Sequence, residues 1–240
     1  ISDIQYADID EAMNFTQTER RDYRGTLAHT RRAVERWNTL SPPPHFIAQL
    51  GDLIYGQNNG TYGQGLLFET PQTEVAFERV MDLLSVCNAP VYHLVGNHEL
   101  YNFSWDALRA HFNVTSPQGT THTIAQDHFY YTTRPTEGWR CIFVNPYEIS
   151  LMQEETLDGY READLTLKRH NPNYATPKDK VDYFKGLSGV DQRYAPFNGG
   201  LGQRQLDWLS GALKEAQSVN ERVMIFSHLP FYHPAADAQN

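Results

Sequence analysis

Two cysteines in 240 residues are too few for a disulfide framework. Cys87 and Cys141 each lie inside an apolar stretch, the setting of buried thiols in a reducing compartment. No run approaches the roughly 20 consecutive apolar residues that cross a bilayer, and no secretory leader opens the sequence. A protein that stays off membranes and works in the cytoplasm is expected. Basic charge is scarce too. With 20 Lys and Arg against 29 Asp and Glu, a net charge of −9, and no basic block or stripe, the electrostatic footprint of a nucleic-acid binder is missing. Internal repeats, low-complexity tracts and Gly/Ser linkers are also absent, so residues 1–240 read as one domain and the protein as a monomer. Three glycosylation sequons, at Asn59, Asn102 and Asn113, read as chance occurrences beside the cysteine argument.

What is present is material for a core and a set of polar clusters. Apolar residues make up 40% of the chain, with 12 Phe, 14 Tyr and 4 Trp, a globular rather than a disordered composition. Four short apolar runs have the length and residue types of buried strands, and each ends in polar residues. Phe46–Leu50 leads into Gly51-Asp52, and Val91–Val95 leads into Gly96-Asn97-His98-Glu99. Cys141–Val144 leads into Asn145-Pro146, and Val223–Phe226 leads into Ser227-His228. Helical spacing separates them, through Leu27, Ala33, Val34 and Trp37, then Val75, Val80, Met81 and Leu84, then Leu206, Leu209 and Leu213. Alternating strands and helices imply an α/β protein with a mainly parallel sheet, whose ligands sit beyond the carboxyl ends of the strands. The segment 153–198, charged and rich in Tyr, Asn and Pro, breaks the rhythm and is expected to be an insertion, partly helical, capping the site.

The polar clusters suit metal ions. Asp3 and Gln5, two apart on an extended stretch, offer a carboxylate and an amide oxygen on one side. Asp52 follows a glycine on a tight turn and can bridge two cations; Asn97 adds a neutral oxygen and His228 an imidazole. Mixed oxygen and nitrogen donors without thiolate suit Mn²⁺, Fe or Mg²⁺, with Zn²⁺ possible. Two such cations, about 3.5–4 Å apart, would clamp the phosphoryl oxygens of a substrate. His98, next to a ligand, is placed to bond a phosphoryl oxygen or protonate a leaving oxygen. Taken singly each element has a plain alternative: Gly51-Asp52 is a common turn, Asn97 a helix cap, His228 a satisfied strand-end histidine.

In order, Asp-x-Gln, Gly-Asp, Gly-Asn-His-Glu and a strand ending in His resemble the calcineurin-like metallophosphoesterase family, the Gly-Asn-His-Glu block being the most specific. The stretches Gln5-Tyr6-Ala7-Asp8 with Asn14-Phe15, His98–Ser104, Phe197–Gly200 and Ser227–Pro230 are similar to its manganese-dependent ADP-ribose/CDP-alcohol diphosphatase branch. The resemblance implies a four-layer αββα fold and metal-dependent hydrolysis of a pyrophosphate bond in nucleoside diphosphate compounds such as ADP-ribose and CDP-choline. It implies that Asp3, Gln5 and Asp52 hold one metal, that Asp52, Asn97 and His228 hold the other, and that His98 is catalytic. Gln5, in place of the family's usual histidine, makes one site harder, in keeping with Mn²⁺. Near these motifs Phe15, Tyr101 and Phe197 are candidates to bind substrate, Phe15 foremost for stacking on a base. Arg20, Arg21 and Arg24 read as the start of a solvated helix.

The family closes its site with Gly-His-x-His after the strand ending in histidine, and no such pair follows His228; only two residues precede Asp3. A chain trimmed at both ends is therefore expected. Asn145-Pro146 stands where the branch has Asp-Ala. Two alternatives remain open: a phosphomonoesterase or cyclic phosphodiesterase with the same metals, and a non-catalytic phosphate-binding protein.

Overall fold

All four apolar runs become strands, but they fall into two sheets rather than one. The protein, seen here in a computed structural model, is described for residues 1–13, 18–62, 65–66, 70–112, 122–123, 128–175 and 182–231. It divides into two compact units, Ile1–Phe129 and Tyr130–Asn240.

In the first unit the element order is β1 (Ala12–Met13), β2 (Arg20–Arg21), α1 (Thr26–Asn38), β3 (Ile47–Gln49), β4 (Thr61–Tyr62), β5 (Gly65–Leu66), α2 (Thr73–Ser85), β6 (Val91–His93), α3 (Asn97–Asn102), α4 (Trp105–Phe112) and β7 (His122–Thr123). The sheet runs β3-β6-β7 and is parallel throughout, with Ile47 opposite Val91 and Val91 opposite His122. Residues 1–6 lie alongside the turn after β3, where Leu50 donates to the Ile1 carbonyl at 2.9 Å, Gln5 to that of Asp52 at 2.9 Å and Tyr6 to that of Leu53 at 3.1 Å. Helices α1 and α2 pack together. The buried side of α2 is Ala76, Phe77, Val80 and Leu84, while Val75 is exposed. The spacing of Val80 and Leu84 marked that face; Val75 lies about 100° away from Ala76 on a helix and turns outward. Arg20 and Arg21 do not begin a helix. They form β2, paired antiparallel with β1, and Arg24 makes ion pairs with Asp8 and Asp10 at 2.7 Å each.

The second unit contains β8 (Tyr131–Thr136), β9 (Trp139–Phe143), β10 (Ile149–Ser150), α5 (Asp158–His170), a 3₁₀ turn (Gly189–Arg193), β11 (Gly199–Gly200), α6 (Gln203–Ser218) and β12 (Arg222–Phe226). Its sheet runs β12-β9-β8, the first pair parallel and the second antiparallel, with an irregularity between Thr133 and Thr136. Pro135 lies there, and a residue without an N–H interrupts a ladder. Trp208, Leu209 and Ala212 of α6 pack with Ile142, Val144, Leu201 and Val223. The inward seam of α6 thus runs through Gln205, Trp208, Leu209, Ala212 and Ala216, while Leu206 and Leu213 face outward. Small alanines let the helix approach the sheet closely, which the leucine spacing alone did not disclose. The segment 153–198 is partly helical, containing α5 and the 3₁₀ turn, and β10 pairs antiparallel with β11 just outside its two ends.

Candidate metal centre

Gln5 lies at the middle of the polar cluster. Its side chain is buried, and the amide Nε2 donates to Asp3 Oδ1 and to Asp52 Oδ2, at 3.1 Å each. The Gln5 oxygen accepts a hydrogen bond from Arg21 Nη1. Asp52 is buried as well; its other oxygen accepts the backbone N–H of His98 at 3.0 Å, and His98 Nε2 is 3.7 Å from Asp52 Oδ2. The structure therefore brings Asp3, Gln5, Asp52 and His98 together within one unit, with Asn97 directly before His98 at the start of α3.

The backbone there departs from the extended stretch expected of Asp3 and Gln5. Both have positive φ, 54° and 47°, as does Asp52 at 59°, following Gly51 at 100°. Left-handed backbone at a non-glycine residue costs of order 1 kcal/mol or more, and such residues gather at functional sites. Here the three left-handed residues are the three whose side chains converge.

Glu99 holds this arrangement in place, a role sequence reasoning missed. It has no exposed surface, and its carboxylate accepts N–H groups from Asp52 at 2.8 Å, Leu53 at 2.6 Å and Gly96 at 2.8 Å. One side chain thus ties the turn after β3 to the turn after β6. The signal was available in its position as the third residue of a helix following a Gly-Asn turn, where a glutamate caps backward onto the N-terminal N–H.

Aromatic rings enclose His98. Tyr55 stands edge-on at 6.1 Å and Tyr101 lies tilted at 5.8 Å between centroids. Gly56 gives both rings room: a Cβ there would stand 2.8 Å from Tyr101 Cδ2 and 3.3 Å from His98. Desolvation pushes the Tyr101 phenol up to about 12, although the residue is partly exposed. Asn102 is engaged on both sides, its Nδ2 donating to the Tyr55 and His98 carbonyls and its Oδ1 accepting from Thr73; Asn59 Nδ2 donates to the Tyr101 carbonyl. Both sequon nitrogens serve the fold, in line with the chance reading, while Asn113 lies outside the described residues.

Of the remaining expected residues, one lies outside the described residues and two lie in the second unit. Phe15 lies outside the described residues. In the second unit, His228 follows β12 with its ring 6.1 Å from Tyr147, and Phe197 stands edge-on to Phe184 at 6.0 Å. Asn145 is buried there, its Oδ1 accepting the Tyr147 N–H at 3.0 Å.

Among the described residues, no three His, Cys, Asp or Glu side chains gather to hold a metal ion. A cation held in the first unit would have to draw on amide oxygens beside the carboxylates of Asp3 and Asp52. The carboxylates of Asp3 and Asp52 share the Gln5 NH₂; a cation in its place would need the amide to turn over, which brings its oxygen to the cation and parts its other end from Arg21. Such an oxygen-rich set suits a hard divalent ion.

The calcineurin-like phosphoesterase family model matches residues 1–239. The chain is similar to the manganese-dependent ADP-ribose/CDP-alcohol diphosphatase of Bos taurus, 33% identical over 99% of this chain and 68% of that protein. It is also similar to the protein of the same name from Homo sapiens, 33% identical over 99% of this chain and 67% of that protein. A crystal structure of a dimetal phosphatase from Danio rerio superposes with a TM-score of 0.81 at 33% identity, covering 100% of this chain and 71% of that one.

Proposed function

This chain belongs to the calcineurin-like phosphoesterase family and has its α/β metallophosphoesterase fold, and from that premise we propose that it hydrolyses the pyrophosphate bond of nucleoside diphosphate compounds such as ADP-ribose and CDP-choline. The products are a nucleoside monophosphate and a phosphorylated sugar or alcohol. The observation that carries the reading is the convergence of Asp3 on the buried side chains of Gln5 and Asp52, beside His98. The names of the relatives, manganese-dependent and acting on ADP-ribose and CDP-alcohols, support it.

In this reading Asp3, Gln5 and Asp52 hold one Mn²⁺, and Asp52, Asn97 and His228 hold the second. When bound, the two ions neutralise phosphoryl charge and make water a competent nucleophile at neutral pH. The chain's own residues do the rest. Asp52, fixed by Glu99 and by the His98 N–H, presents its oxygens in a set orientation. His98, packed between Tyr55 and Tyr101, donates a hydrogen bond to the phosphoryl oxygen or a proton to the bridging oxygen as the P–O bond breaks and that oxygen takes the electron pair. Phe15, Tyr101 and Phe197 offer aromatic faces for the base. We read residues 1–240 as one domain with an insertion at 153–198. The thiols of Cys87 and Cys141, pushed by burial up to about 11, stay protonated at neutral pH and support a cytoplasmic setting; no described helix is long and apolar enough to cross a membrane.

The test is side-by-side turnover, with Mn²⁺ present, of ADP-ribose, CDP-choline, an aryl phosphate and a cyclic nucleotide. The reading predicts that the two diphosphates are turned over fastest and yield AMP and CMP. Preference for the aryl phosphate or the cyclic nucleotide would keep the family and replace the substrate class.

A further inference from the structure

A carboxamide donates at one end and accepts at the other, so its neighbours decide which end points where. At Gln5 both sides agree. Nε2 donates to Asp3 Oδ1 and to Asp52 Oδ2, at 3.1 Å each, and Oε1 accepts from Arg21 Nη1. Turned over, the amide would set its oxygen against two carboxylates and its NH₂ against a guanidinium, leaving donor facing donor and acceptor facing acceptor. The observed orientation is therefore the one these neighbours enforce in the absence of a cation.

Arg21 reaches Gln5 through strand alternation. Successive side chains of a strand point to opposite faces, and on β2 the exposed Arg20 pairs with Glu11 at 2.7 Å while Arg21, half-buried, turns onto the Gln5 oxygen. Arg24 pairs with Asp8 and Asp10 at 2.7 Å each. Of these three arginines, Arg21 is the one turned onto a neutral amide.

A cation between Asp3 and Asp52 inverts the requirement at the inner end of the amide and leaves it unchanged at the outer end. The Gln5 oxygen must face the cation, and its NH₂ must then face Arg21, so the hydrogen bond from the guanidinium has to break. We propose that Arg21 is a positioning residue for the metal centre: it holds the Gln5 amide in the cation-excluding orientation, so that metal loading is coupled to the release of Arg21. The proposal rests on the reading of Asp3, Gln5 and Asp52 as ligands of one metal. It predicts that Arg21 lowers metal affinity by more than its charge does. The charge repels a cation whatever stands at position 5; the hydrogen bond opposes one only when an amide is there.

The experiment is Mn²⁺ binding, read from the electron paramagnetic resonance signal of the free ion, on the protein and on Arg21→Met, Gln5→Leu and Arg21→Met/Gln5→Leu, each with its melting temperature measured without metal. Gln5→Met replaces Gln5→Leu if leucine prevents folding. Breaking a hydrogen bond to a charged group corresponds to about tenfold in an equilibrium constant, so Arg21→Met is expected to tighten Mn²⁺ binding about tenfold more when Gln5 is present than in the Gln5→Leu background. Equal tightening in the two backgrounds would assign the effect to charge and overturn the proposal, and so would unchanged or weaker binding in Arg21→Met. If Gln5→Leu itself leaves Mn²⁺ affinity unchanged, the ligand reading of Gln5 falls and the proposal falls with it; if Gln5→Leu weakens binding and Arg21→Met acts alike in both backgrounds, only the proposal falls.

Discussion

The carboxylate of Glu99 accepts the backbone N–H of Asp52 at 2.8 Å, across 47 residues of chain. Through that bond, and through those to Leu53 and Gly96, a buried anion holds the two turns that carry the metal-centre side chains. Glu99→Gln keeps the size and places an NH₂ group against N–H donors. Losing a charge-assisted acceptor in a buried site costs about 2–3 kcal/mol. Urea unfolding of Glu99→Gln is expected to show a loss of that size, together with a fall in turnover of at least tenfold, because Asp52 loses its anchor. A variant with native stability and native turnover would show that the two turns hold themselves.

Gly56 provides a test of the aromatic enclosure. Its replacement by alanine puts a methyl group 2.8 Å from Tyr101 Cδ2 and 3.3 Å from His98, so the rings must move by some tenths of an ångström to an ångström. Misplacement of a reacting group by about 1 Å can cost about 100-fold in rate. Gly56→Ala is expected to lower kcat tenfold or more with little change in melting temperature. Native kcat would mean that the Tyr101–His98 contact is not needed for turnover.

Arg140 governs the acid stability of the second unit. Its side chain is 1% exposed and donates to Glu215 at 2.8 Å and to Glu221 at 2.7 Å. Hydrogen bonding to Arg140, then to Arg134, holds the Glu215 carboxyl down at about 2, well below its ordinary value near 4.5. A depressed carboxyl stabilises the fold above the unfolded value and loses that contribution as pH falls through the folded one. Arg140→Met is therefore expected to be less stable than the unsubstituted protein near neutral pH. Its deficit relative to the unsubstituted protein should shrink as pH falls from about 4.5 toward 2. Urea unfolding at several pH values measures this, and a deficit independent of pH in that range would assign the effect to packing alone.

Part of the cluster around Asp52 was legible because Asp52 and His98 stand on turns closed by their own neighbours: Gly51 before Asp52, and Gly96 before Asn97 and His98. Strand positions were legible for a similar local reason, as short β-branched runs. What was hidden depends on distant partners. Arg21 looks like a solvated cation until the chain folds it onto Gln5. Glu99 looks like a surface charge until three backbone N–H groups converge on it. The left-handed backbone at Gln5 has no signature in a residue type that seldom adopts it. Of the three leucines spaced along α6 only Leu209 faces the core, because Ala212 and Ala216 carry less hydrophobic weight than their leucine neighbours yet are the buried residues.

The account stands or falls on Asp52, which it makes the shared ligand of two Mn²⁺ ions in a pyrophosphate hydrolase. The direct measurement is the rate of AMP release from ADP-ribose, with and without Mn²⁺ after chelation of endogenous metal, for the protein and for Asp52→Asn. The account predicts release that depends on added Mn²⁺ and falls at least 100-fold in Asp52→Asn, in line with removal of a group that stabilises transition-state charge. AMP release that persists in chelator, or that survives in Asp52→Asn, would contradict it.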